Sequence, residues 1–137
     1  LLTSAYAVHE IDEVTGQYTF TPMNQATVWT DIHTNGKTMQ FGLFAGYMKN
    51  LGATDKIIDG TIEHRFDNDI LDNVMRVSPR IIFNSGKVRF AGEIEYTSAA
   101  YAKLLDDDTY DMDEFGKINN TESVSNIRFL MAVYYFF

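Results

Sequence analysis

Lys87-Val88-Arg89-Phe90-Ala91-Gly92-Glu93-Ile94-Glu95-Tyr96 is the stretch whose period decides the fold class. Its even positions, Val88, Phe90, Gly92, Ile94 and Tyr96, carry no charge, while the odd positions set Lys87, Arg89, Glu93 and Glu95 around Ala91. A period of two puts these sets on opposite faces of a strand; wound as a helix, the same residues would spread charge around the cylinder. Residues 73–83 repeat the pattern with opposite parity, Met75, Val77, Pro79, Ile81 and Phe83 against Val74, Arg76, Ser78, Arg80 and Ile82. In 37–48, Met39, Phe41, Leu43, Ala45 and Tyr47 alternate with Thr38, Gln40, Gly42, Phe44 and Gly46. Further upstream Ala26, Val28, Thr30 and Ile32 stand against Gln25, Thr27, Trp29, Asp31 and His33. Two more strands, less regular, are expected over 2–10 and 125–137. The fold class is therefore all-β, with about six strands.

The connections alternate in length. Asn35-Gly36 and Asn84-Ser85-Gly86 are tight hairpin turns, where Asn and Gly tolerate positive φ, and each is followed by a lysine. They define short turns at about 33–37 and 83–87. The connections 11–21, 49–72 and 103–123 are long, and the last two hold much of the acid, from Asp55, Asp59, Glu63, Asp67, Asp69 and Asp72 to Asp106, Asp107, Asp108, Asp111, Asp113 and Glu114. All short turns thus fall at one end of the sheet and all long loops at the other. A weak repeat of about fifty residues results, an Asn/Gly turn between two alternating strands. No linker or domain boundary is evident, and 1–137 reads as a single segment.

Composition narrows the function classes. A net charge of −8 argues against nucleic acid as a partner, since phosphate binding needs clustered Lys and Arg. With no cysteine, disulfides and thiolate metal sites are excluded. No run of 18 apolar residues provides a transmembrane helix. The chain starts at Leu1 with no signal-like segment, so the expectation is that a leader has been removed or that the chain belongs to a longer one. Three features then favour strands that cross a bilayer. The alternating runs are about 10–14 residues, near the 9–11 needed to cross hydrocarbon when tilted. Charge within them keeps to one face, the lumen side of a large barrel. Aromatic rings mark the ends of the apolar faces, with Tyr47, Tyr96 and Tyr101 toward the long loops and Phe83, Tyr135 and Phe137 toward the turns, as suits a membrane–water interface.

The last strand adds to this. Counted back from the end, Phe137, Tyr135, Val133, Met131, Phe129 and Ile127 are apolar at every second position. This resembles the C-terminal targeting strand of Gram-negative outer-membrane β-barrels, which the barrel-assembly machinery recognises. The stretch Met39-Gln40-Phe41-Gly42-Leu43-Phe44-Ala45-Gly46-Tyr47-Met48-Lys49-Asn50-Leu51-Gly52 resembles a strand-to-external-loop segment of outer-membrane porins, in particular the DcaP-like trimeric porins. The resemblance implies an antiparallel up-and-down transmembrane β-barrel, usually a homotrimer, in the outer membrane among its lipid and lipopolysaccharide. Such barrels pass small hydrophilic or anionic solutes, and no cofactor or catalysis is expected.

With Phe137 at the periplasmic end, the last strand runs inward, the turns are periplasmic and the long loops extracellular. Six strands with both termini periplasmic satisfy even parity. Six are too few to close, because single-chain bacterial barrels start at eight. The expectation is a C-terminal portion of a larger barrel, of about 16 strands, or strands supplied by another chain. A count of eight within this chain would need strands inside 54–66 and near 15–21.

In that frame Arg76, Arg80, Arg89 and Arg128 fall on inward faces, with Glu93 and Glu95 beside them and Asp31 on an earlier strand. Guanidinium rows facing carboxylates would attract anions and screen permeants by charge and dipole; alternatively the arginines pair with Glu93 and Glu95 and hold the wall together. Trp29, also inward, is a stacking platform for a sugar or a ring that fills lumen space. Asp106, Asp108, Asp111 and Asp113 are candidates for a hard cation, although the EF-hand order is missing and charged loops are usually just solvated. His9, His33 and His64 have no zinc spacing, and the serines lack a G-x-S-x-G context. The competing readings are a soluble β-barrel or β-sandwich that binds a small ligand, with its apolar faces turned inward, and a structural or adhesive outer-membrane barrel that does not conduct.

Overall fold

The alternating runs are strands in the computed structural model, which describes residues 5–58, 63–64, 70–105 and 109–137. They are β1 (Ala5–Ile11), β2 (Tyr18–His33), β3 (Met39–Ala53), β4 (Glu63–His64), β5 (Leu71–Ser85), β6 (Val88–Ala102) and β7 (Thr121–Tyr135). They form one sheet in the order β4-β1-β2-β3-β5-β6-β7. Apart from the two-residue β4, which pairs antiparallel with β1, neighbours in sequence are neighbours in the sheet, an up-and-down antiparallel arrangement without helices among the described residues.

The strands are longer than the alternation alone suggests. β2 starts at Tyr18 and β7 at Thr121, and β3 runs on to Ala53. Polar residues such as Thr19, Thr21, Asn24 and Asn50 interrupt the two-residue period there, yet backbone pairing continues through them. No additional crossing strand exists within 54–66 among the described residues, where only Glu63 and His64 pair, and residues 18–21 belong to β2. Besides β4, the described residues thus supply six strands, five of 15–16 residues and the seven-residue β1.

Turn chemistry differs between the two hairpins. Gly86 has φ +58°, as a positive-φ turn requires. Gly36 lies outside the left-handed region, and its need is space: a Cβ there would run into the Met39 carbonyl. The Asn35-Gly36 expectation of positive φ is thus corrected to one of steric room.

Contacts divide the chain into two compact units. The first comprises Leu1–Thr27, Met48–Val74 and Ala99–Val124, and the second Val28–Tyr47, Met75–Ser98 and Ser125–Phe137. β2, β3, β5, β6 and β7 each contribute residues to both units.

The first unit has two small apolar clusters, Ala7 with Ala53 and Ile57 beside Met23, and Ile70 with Ala102 and Ile118 beside Tyr110 and Met112. Its long connections are tied down by hydrogen bonds. Ala53 N–H donates to the Phe115 carbonyl at 2.7 Å, Ile57 N–H to that of Glu114 at 2.8 Å and Ile58 N–H to that of Val8 at 2.9 Å. His9 Nδ1 donates to the Lys56 carbonyl at 2.8 Å. Gly52, at φ +78°, is held by the Asn50 Oδ1 that accepts its N–H at 2.8 Å. Asp72 is buried and accepts both 2.6 Å bonds from Lys49 Nζ, so that its charge is compensated where water cannot reach it. At the β1–β2 turn, the N–H groups of Thr15 and then Val14 on Asp12 Oδ1 hold that carboxyl below its ordinary value.

The second unit has an inverted pattern of exposure. Its apolar alternation is open: Phe41 is 54% exposed, Phe90 47% and Phe129 77%, with Met39, Leu43, Ile81, Phe83, Ile94 and Val133 also exposed. On the other parity Ser78 is buried, and Arg76, Arg80, Arg89, Glu93 and Glu95 are half-buried. A water-soluble sheet of this composition turns the apolar set toward a core and the charges out. β7 is exposed at every position but Ala132.

Candidate functional site

The polar face of the second unit gathers the chemistry. Strand alternation puts Asp31 on β2, Gly42 on β3, Arg76, Ser78 and Arg80 on β5, Arg89, Glu93 and Glu95 on β6, and Arg128 on β7, all of one parity set. Because the order runs β2-β3-β5-β6-β7, ladders of charge form across strands.

Glu95 lies between two arginines. Its carboxylate oxygens are 3.4 Å from Arg76 Nη1 and 3.4 Å from Arg128 Nη1, one on each neighbouring strand. Arg76 Nε also donates to Thr97 Oγ1 at 3.0 Å. Glu93 instead accepts from the hydroxyl of the buried Ser78. Arg80 passes over β3 to pair with Asp31, two strands away. Its route runs over Gly42, where a Cβ would lie 2.5 Å from Arg80 Nε and 2.8 Å from its Cγ. Glycine leaves the gap through which this side chain reaches its partner.

Arg89 differs from the other three. Its Nε donates to Asn84 Oδ1 at 2.8 Å and its guanidinium stands 5.4 Å from the centroid of the Phe136 ring, a cation–π contact. Among the described residues it pairs with no carboxylate. The C-terminal residue pair is anchored next to it, Phe136 N–H donating to the Lys87 carbonyl at 2.8 Å. Arg89, Arg80 and Glu93 border a hollow of about 400 Å³, floored by Ala91 and Ala132 and flanked by Tyr134.

The candidate residues are therefore brought together in part. Asp31, Arg76, Arg80, Arg89, Glu93, Glu95 and Arg128 share one face, in pairings other than a simple Arg-to-Glu93/Glu95 ladder. Trp29 is 67% exposed and its Cβ borders Gly46, beside the charged residues and without a polar partner among the described residues. Of the terminal residues, Phe129, Met131, Val133, Tyr135 and Phe137 are all exposed, with Tyr135 and Phe137 in an edge contact at 5.3 Å.

The acidic loop does not gather as a cation site among the described residues. Asp111 accepts from the side-chain amides of Asn119, at 2.9 Å, and Asn120. Asp113 Oδ1 accepts the N–H groups of Phe115, at 3.0 Å, and Lys117, at 2.9 Å, and so shapes its own turn. Glu114 pairs with Lys56 at 2.6 Å. Asp106 and Asp108 lie outside the described residues, as do Asp59, Asp67 and Asp69.

Ser78, Gly42, Ala91, Ala132, Tyr134 and Phe136 were not singled out by motif, and Asn84 was read only as a turn residue. Parity alone could have placed them on the charged face; which residue meets which depends on cross-strand register. No family model, no curated protein and no solved structure matches the chain.

Proposed function

We propose that this chain is a membrane-crossing portion of an outer-membrane β-barrel channel, through which small hydrophilic and anionic solutes diffuse passively. The observation that carries the reading is the inverted exposure of the second unit, with aromatic and aliphatic side chains open and charged ones packed against one another. A bilayer rewards that arrangement, because lipid solvates the apolar parity and a wet lumen the charged one. Within this unit the strands contribute 39–47, 75–85, 88–98 and 125–135, each of a length that crosses hydrocarbon when tilted.

On the lumen side, four arginines face three carboxylates, and pairing between partly hydrated charges leaves a residual field that draws anions. The six strands beside β4 among the described residues are short of a closed barrel, and on this reading the rest of the wall comes from further strands of a larger barrel, of about 16. The DcaP-like trimeric porins are the family this reading favours, with a homotrimer, lipopolysaccharide at the long loops, and Phe129, Met131, Val133, Tyr135 and Phe137 as the strand presented to the assembly machinery of a Gram-negative outer membrane. The chain acts here as a conduit and not as a catalyst.

Spin labels test the faces. The chain lacks cysteine, so single Phe90→Cys and Arg89→Cys variants can be labelled without background. In liposomes the label at position 90 is expected to be accessible to oxygen and shielded from a water-soluble nickel complex, and the label at 89 the reverse. Equal access of the nickel complex to both would overturn the membrane reading.

A further inference from the structure

The hollow on the charged face has Arg89 at one end and Glu93 at the other. Both residues sit on β6 with the same parity, four positions apart, so their Cα atoms are about 13 Å apart along the strand. Between them stands Ala91, with Ala132 and Leu130 on β7 and Ile82 on β5; Arg80 also borders the hollow, its guanidinium paired with Asp31 across Gly42. One end holds Arg89, whose Nε is committed to Asn84 and whose terminal nitrogens are free of hydrogen-bond partners among the described residues. The other end holds Glu93, of which Oε1 takes the Ser78 hydroxyl and which has no cationic partner among the described residues.

We infer that this hollow binds a short zwitterionic peptide of two or three residues, with its C-terminal carboxylate on the Arg89 guanidinium and its N-terminal ammonium on the Glu93 carboxylate. Length is the first argument. A single α-amino acid carries its charges too close together to reach both ends, whereas an extended tripeptide spans about 10 Å, and the two side chains cover the remainder. Charge is the second, since each end offers a fixed ion lacking an opposite charge, and charge-assisted hydrogen bonds are the strong ones. Volume is the third: about 400 Å³ accommodates such a ligand when the floor residues are alanine. Tyr134 also lines the hollow. The inference rests on this face being wet, as in the channel reading, but it does not require conduction.

Isothermal titration calorimetry of trialanine into the chain in dodecylmaltoside micelles tests it. Saturable binding is expected, weakened about tenfold or more for N-acetyl-trialanine and for trialaninamide. Arg89→Gln is expected to lower trialanine affinity to that of trialaninamide and to leave the amide no weaker than before. Glu93→Gln should do the same for the acetylated peptide, and Ala132→Leu, which raises the floor, should abolish binding while the sheet signal in circular dichroism is kept. The blocked peptides probe the same contacts without altering the protein, so a variant that misfolds does not decide the matter. Absence of saturable trialanine binding, or equal affinity for the blocked peptides, overturns the inference. Failure of the complete barrel to conduct in planar bilayers with peptide binding intact would overturn the channel reading alone, and the converse this one alone.

Discussion

Gly42 shows how much can depend on a missing methyl group. Arg80 reaches Asp31 only because β3 has no side chain under its path, and the pair fixes where one of the four arginine charges sits. Gly42→Ala is therefore expected to displace Arg80 and cost about 1 kcal/mol, the upper range for a partly exposed ion pair. In an Asp31→Asn background the same substitution should be neutral or stabilising, because glycine weakens a strand by about 0.5–1 kcal/mol relative to alanine. A double-mutant cycle on unfolding free energy in detergent measures the difference, and additive effects would mean that Arg80 takes another route. Sequence reading placed Asp31, Gly42 and Arg80 on one face by parity. It could not pair them, because the partner lies across an intervening strand.

At the level of the element, each strand of the second unit carries its own statement about solvent. Ile94 lies near the middle of the 88–98 stretch of β6, while Phe83 lies beside the 84–87 turn. If hydrocarbon surrounds this face, Ile94→Arg costs about 2–4 kcal/mol and Phe83→Arg about 1 kcal/mol or less, since the penalty falls toward the interface. Reversible unfolding from phospholipid vesicles reads both values. On a water-exposed sheet both substitutions would lie within about 0.5 kcal/mol of neutral, which would sink the membrane reading. The period of two was sufficient to find these strands. Their ends were less legible: β2, β3 and β7 continue through polar residues because backbone hydrogen bonds to a neighbouring strand do not depend on side-chain alternation. Likewise Gly52 and Asp72 sit in what composition alone assigns to a loop, and their roles depend on contacts with Asn50 and Lys49.

For the molecule as a whole, the ladder predicts a division of labour among the arginines. Arg76 and Arg128 share Glu95, and Arg80 has Asp31, so their fields are largely offset by neighbouring carboxylates. Arg89 is balanced by an amide oxygen and a ring, neither of which carries charge. For the complete barrel in planar bilayers, Arg89→Gln alone is therefore expected to shift the anion-to-cation permeability ratio by most of the change seen when all four arginines are replaced. An unchanged ratio in the fourfold variant would reduce the ladder to scaffold. The amino-acid sequence by itself determined the all-β class, the strands, the two turn positions and the sidedness of charge, because all of these follow from local periodicity and the steric needs of a turn. The strand order, the division into two units, the Arg80–Asp31 crossing and the hollow between Arg89 and Glu93 were decided only by tertiary structure. Each depends on which residues of separate strands come to lie opposite one another, and register across a sheet is a property of long-range pairing that no local pattern contains.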